Sequence, residues 1–226
     1  MAADDTATTP ATASIGTIDG ALTTLRGHLD ADPAFHDLTH GLTEADPDAG
    51  QPALTIGAPD GIRPALAAAR AELSQIVVVV PSGREAEELV DDIRSWYGGD
   101  PAAVAQLEAW ETLPHERLSP RADTVANRME VFRRLCHPEA GSAMFGPIRI
   151  LVMPVRSLIQ PLVAGIGDVE PLVFALGERT ALDEASAALV RNAYTRVDLV
   201  MDRGEFAVRG GLIDVFPPTM PHPVRI

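Results

Sequence analysis

IVVVVPSGREAEELVDDIRSWY, residues 76–97, decides the fold. Its first five residues are apolar and β-branched without interruption. That is the pattern of a strand buried on both faces. PSG follows as a turn. Residues 84–97 then carry Leu89, Ile93 and Trp96 on one side of an amphipathic helix. The alternation repeats outward in both directions. Upstream, ALTI (53–56) is a short apolar run before a glycine turn, and IRPALAAARAEL (62–73) reads as a helix. Downstream, AVAQL (103–107) is a strand, and DTVANRMEVFRRLC (123–136) is a helix capped by Asp123 or Thr124. IRILVMP (148–154) is a further strand, and VRSLIQPL begins a short helix. Strands alternating with helices predict an α/β domain over residues 15–168, with a parallel sheet, helices on both faces and right-handed crossovers.

The flanks differ from this centre. Residues 1–14 are rich in Ala and Thr, acidic and aperiodic, and read as a disordered tail. Ile18, Leu22, Leu25 and Leu29, then Phe35, Leu38 and Leu42, recur every three or four residues. They predict two short helices broken near Asp32–Pro33, with EADPDAGQP (44–52) as a loop. After residue 168 the pattern becomes that of a small α+β domain, residues 169–226, with antiparallel pairing. PLVFALG (171–177) reads as an edge strand, and a helix starts at the cap Thr180 with Asp183 completing a box-like pair. TRVDLVM, GEFAVRG and GLIDVF read as successive strands of period two. HPVRI opens another strand without a visible partner, so the chain is expected to continue beyond it.

Composition narrows the function. The 226 residues carry a net charge of -14, which repels phosphate backbones over much of the surface. All 18 basic residues are arginine, so lysine chemistry, including a standard phosphate-binding loop, is excluded from this chain. The single cysteine, Cys136, permits no internal disulfide and fits a cytoplasmic location. No apolar run approaches the roughly 18 residues of a membrane span, and no signal peptide opens the chain.

A nucleotide belongs at TIGAPDGIRPALAAA (55–69), in the first strand-to-helix turn. Counting G-x-x-x-x-G-K-[ST] from Gly57 puts Ile62 at the second glycine, Arg63 at the lysine and Pro64 at the hydroxyl. Gly61 falls one place early. Pro64 also removes an amide donor, so the site is degenerate and reads as an ordinary helix start. His36 and His40, with Asp32 and Asp37 near, have a metal-compatible spacing but read as surface histidines. His115 and Glu116 have no nucleophile or metal cluster beside them and read as a structural loop, anchored by Trp110, Leu113 and Leu118. Cys136 reads as a small buried residue. No catalytic residue and no metal site is assigned.

RGEFAVRGGLIDVFPP, residues 203–218, leaves three readings: an RGG-type nucleic-acid element, a phosphate cradle, or a sheet that aims arginines at a protein. With GEFAVRG and GLIDVF as neighbouring strands, Gly210–Gly211 forms the bend. Phe206 and Val208 then face one side, packing on the helix of residues 181–193, and Glu205, Ala207 and Arg209 face the other. Leu212 and Val215 differ in parity, which predicts a bulge. The bland reading of Arg209 is a salt bridge to Asp214 or Glu205.

WETLPHERLSPRADTVANRMEVFRRL, ILVMPVRSLIQPL and YTRVDLVMDRGEFAVRGGLIDVFPPTMPHPVRI together resemble the N-terminal UvrB-homology module of the bacterial transcription-repair coupling factors. The resemblance spans residues 53–226. It implies a helicase-like α/β domain with a degenerate nucleotide site, then a small domain that docks UvrA. It implies UvrA-contact roles for Arg209 and Arg225, and matches Arg203 and Arg196 to the corresponding UvrB surface. Ala207 stands where UvrB has a further arginine. It also implies that RNA polymerase, double-stranded DNA, ATP and magnesium are handled by later domains of the family's chain, and that one of these masks the UvrA surface. No cofactor is expected here. The alternative is a fragment of a UvrB-like, nucleotide-dependent repair helicase. Against it stand the failed nucleotide motif and the lack of room for UvrB's aromatic hairpin after Trp96–Tyr97.

Overall fold

A computed structural model of the chain describes residues 18–40, 55–112, 119–142 and 144–226. The expected tail (1–14), the 44–52 loop, Leu42, the first half of ALTI, and the Leu113, His115, Glu116 and Leu118 readings lie outside the described residues. Two short helices come first, α1 (Ile18–Asp30) and α2 (Pro33–His40), broken where expected. Asp32 caps the second, its carboxylate accepting from the amides of Ala34 and Phe35.

The α/β unit follows as α3 (Arg63–Leu73), β1 (Ile76–Val80), α4 (Gly83–Trp96), β2 (Val104–Gln106), α5 (Ala122–Cys136), β3 (Ile150–Pro154) and α6 (Val155–Ile159). The three strands form a parallel sheet in the order β1-β3-β2, with Ile76 opposite Ile150 and Val104 on the other side of the same residue. Ser82 of the PSG turn caps α4 by accepting from the Glu85 amide at 3.2 Å, so Ser82 and Glu85 stand at capping-box spacing. Ala86, Leu89, Val90 and Ile93 of α4 pack with Ala67 and Ala71 of α3 onto Val80, Ile150, Val152 and Val104. On the opposite face Val131 and Phe132 of α5 cover Ala105, Leu107, Leu151 and Met153. Helices therefore lie on both faces of the sheet.

Coverage is incomplete at β1, which corrects the reading of a strand buried on both sides. β1 is an edge strand, and α5 reaches only over β2 and β3. Val77 and Val79 are left 56% and 43% exposed. Three further expectations are corrected here. Thr55–Pro59 carry no strand, so α3 starts from an irregular segment and a short 3-10 turn, Asp60–Ile62. α5 begins one residue early: Arg121 is its cap without a side-chain bond, while Asp123 lies inside the first turn and binds the Arg121 guanidinium. Cys136 is exposed at the helix end.

The small unit contains α7 (Leu182–Arg191), β4 (Thr195–Arg196), β5 (Glu205–Arg209), β6 (Leu212–Val215) and β7 (Val224–Arg225), with sheet order β4-β5-β6-β7. Ala185 and Leu189 of α7 bury Phe206, Ile213 and Val215. The strand reading of PLVFALG is corrected: the segment is irregular and pairs with no strand. Its alternation was real, because Leu172 and Phe174 pack against this core. The helix cap is Ala181, and Thr180 makes no capping bond; Asp183 lies inside the first turn, accepting from the Glu184 amide. Pairing is antiparallel for β5-β6 and β6-β7 but parallel for β4-β5, which the purely antiparallel expectation missed. HPVRI has a partner after all, since Val224 and Arg225 pair with Val215 and Asp214.

Candidate functional site

At the degenerate nucleotide position, a Cβ added at Gly57 or Gly61 would meet open space. Arg63, at the lysine position, is paired with Asp60 at 2.8 Å and Glu85 at 3.2 Å. Both carboxylates would repel a phosphate. Pro64 is buried in the first turn of α3, where its missing amide costs nothing.

Glu108 and Trp110 are held around one buried cation. Arg128 of α5 is fully buried, its guanidinium 4.3 Å from the Trp110 ring centroid, and it donates to the Glu108 carbonyl. Gln160 brackets Trp110 by accepting from its amide at 2.9 Å and donating to its carbonyl at 3.2 Å. His36 is exposed, and among the described residues no three His, Cys, Asp or Glu side chains group as metal ligands. Among the described residues no helix is long and apolar enough to cross a membrane.

The arginines of the small unit are ordered by strand register. Phe206 opposes Val215, Ala207 opposes Asp214, Val208 opposes Ile213 and Arg209 opposes Leu212. The loop is therefore two residues, Gly210–Gly211, with no bulge; the parity mismatch of Leu212 and Val215 vanishes because Ile213 and Val215 share the core face. Gly210 takes φ +62°, which a two-residue hairpin of this kind requires at its first central position. Arg225 opposes Asp214 across β6-β7. Opposed residues share a face, so Ala207, Arg209, Asp214 and Arg225 lie on the face away from α7.

On that face Arg225 grips Asp214 through two parallel bonds, Nε to Oδ1 at 2.6 Å and Nη2 to Oδ2 at 2.9 Å. The Arg225 hydrogen bond is the main reason the Asp214 carboxyl is held below the usual range, and the Arg209 charge adds to it. Arg209 makes no ion pair with Asp214 or Glu205. Its Nε and Nη2 both donate to the Asp198 carbonyl, leaving the side chain exposed. Arg196 opposes Phe206, so its register is that of the other face, at the sheet's β4 edge. Arg203 sits in the turn before β5, its guanidinium 5.2 Å from the Phe216 ring centroid and bonded to the Met220 carbonyl at 3.4 Å. The fold thus groups Arg209 and Arg225 around Asp214 and sets Arg203 and Arg196 apart from them. The 198–202 loop beside Arg209 was not singled out by sequence reasoning. It corrects the strand reading of TRVDLVM, since β4 ends at Arg196 and leaves Leu199 and Met201 in a loop, 59% and 73% exposed.

The chain is thus a parallel α/β unit followed by a small mixed sheet with Arg209 and Arg225 on one face. The UvrB interaction domain family matches residues 172–226, which is the small unit. The transcription-repair-coupling factor of Mycobacterium tuberculosis is 48% identical over 174 residues, covering 76% of this chain and 14% of that protein. The Escherichia coli K12 protein of the same name is 30% identical over 152 residues, 67% of this chain and 12% of its own length. The Bacillus subtilis 168 protein is 29% identical over 143 residues. The chain belongs to the transcription-repair-coupling factor family, and spans only a small part of the length of the relatives it matches.

Proposed function

We propose that this chain is a non-catalytic docking module that recruits UvrA in transcription-coupled nucleotide excision repair, and that it does so through Arg209 and Arg225. The observation that supports this most is their shared sheet face within the segment that matches the UvrB interaction domain. A guanidinium held on a strand matches carboxylates in planar, two-point geometry. Arg225 makes that contact with the partly buried Asp214, which holds its guanidinium in place on the sheet face. Nucleotide hydrolysis and the DNA translocation it drives are assigned to other parts of the family's longer chain, because the phosphate-loop lysine and hydroxyl are missing at residues 63 and 64; RNA-polymerase binding is assigned there by the resemblance. The experiment is capture of UvrA by the 226-residue chain. Arg209→Ala is expected to weaken capture severalfold while the thermal unfolding midpoint holds. Capture by that variant equal to wild type would overturn the assignment of the surface.

A further inference from the structure

Arg209 does not stand alone on its strand. Both of its donating nitrogens end on the carbonyl of Asp198, at the start of the loop that joins β4 to β5. The other end of that loop is closed by a different side chain. Glu205 Oε2 accepts from the amide of Met201 at 2.9 Å and from that of Asp202 at 2.8 Å. These two amide bonds, the Asp202 one first, hold the Glu205 carboxyl below its usual range. The Glu205 amide in turn donates to the Asp202 carbonyl at 3.2 Å, so side chain and backbone grip the same turn.

Glu205 and Arg209 share one strand and project on the same face, two steps of the pleat apart. The loop is therefore stapled at both ends to one row of side chains. We infer that Glu205 is a positioning residue for docking: it clamps the 198–202 loop, the loop carbonyl of Asp198 aims Arg209, and the same clamp fixes the backbone that carries exposed Leu199 and Met201. The inference rests on the UvrA-docking reading above. Without the carboxylate the amides of Met201 and Asp202 turn to water and the Asp198 carbonyl is no longer fixed. Arg209 then regains rotamer freedom that binding must remove again. A carboxylate suits this task because a charged acceptor makes stronger bonds to amides than a neutral one.

The test is a double-mutant cycle on UvrA capture with the 226-residue chain, using Glu205→Ala, Arg209→Ala and the pair. Glu205→Ala is expected to weaken capture about fivefold, within the range for residues of one hydrogen-bond network. Once Arg209 is gone, removing Glu205 should cost little more. Glu205→Gln, which keeps an acceptor oxygen, should fall between wild type and Glu205→Ala. Amide hydrogen exchange on the free chain supplies the second readout: Met201 and Asp202 should exchange faster in Glu205→Ala, with Phe206 and Val215 unchanged. Additive losses in the cycle, or full capture by Glu205→Ala with those two amides released, would overturn the positioning role while leaving the docking surface standing. An Arg209→Ala variant that captures UvrA like wild type would instead remove the docking reading and the inference together.

Discussion

Arg128 shows how one residue can be unreadable from its neighbours in the chain. Within α5 it looks like any solvent-facing arginine, yet it is wholly buried under Trp110. Its Nη1 reaches the Glu108 carbonyl, while Nε and Nη2 have no partner. Burial pulls its pKa down, against the pull of Glu108 and Glu111. A buried cation so incompletely satisfied contributes through its stem and its ring contact more than through its charge. Arg128→Met keeps the stem and places sulfur near the indole. It is expected to leave unfolding in urea within about 1 kcal/mol of wild type, or to raise it. Arg128→Ala empties the space and is expected to cost about 2–5 kcal/mol by the same measurement. Arg209 is the contrasting case: its exposure follows from strand parity, but its bond to the Asp198 carbonyl depends on a loop that no periodicity predicts.

Elements were legible where local sterics decide them. The five β-branched residues of β1, the Asp32–Pro33 break and the apolar face of α4 all appear where the sequence puts them. Helix starts were less legible: Asp123, Thr124, Thr180 and Asp183 are all capping types, yet none caps, because an extended residue just before each first turn takes that place. PLVFALG had strand alternation but is a packed irregular segment, its Leu172 and Phe174 partly buried against the small core without strand pairing. The β5-β6 hairpin is the clearest case of a turn dictated by residue type. Gly210 is left-handed and Gly211 is not, and neither would crowd a neighbour if it carried a Cβ. Gly210→Ala is therefore expected to destabilise the small unit by about 1–2 kcal/mol through backbone strain alone. Gly211→Ala should be near neutral, and thermal unfolding of the two variants checks the difference.

At the scale of the molecule, the core of the small unit shares no residue with the two cores that sandwich β1, β2 and β3. Phe206 is its centre, fully buried between α7 and β6. Phe206→Ala is expected to cost about 3–5 kcal/mol locally. Amide exchange should quicken through residues 205–215 and stay unchanged at Val78 and Val152 if the cores are energetically separate. A uniform increase across both units would show one cooperative core instead. With the cores separate, docking of a partner on the arginine face would act on the smaller unit without deforming the larger.

The sequence by itself determined the α/β class, the order of most elements, the failure of the nucleotide motif and the face that Arg209 occupies. Each of these depends on residue type, on spacing along the chain or on the two-residue period of a strand. Only the tertiary structure decided that Val77 and Val79 are left uncovered, that Arg225 pairs with Asp214, and that Glu205 and Arg209 hold one loop between them. Those outcomes depend on which distant segment lies alongside. Nothing in a residue's immediate neighbours along the chain specifies that.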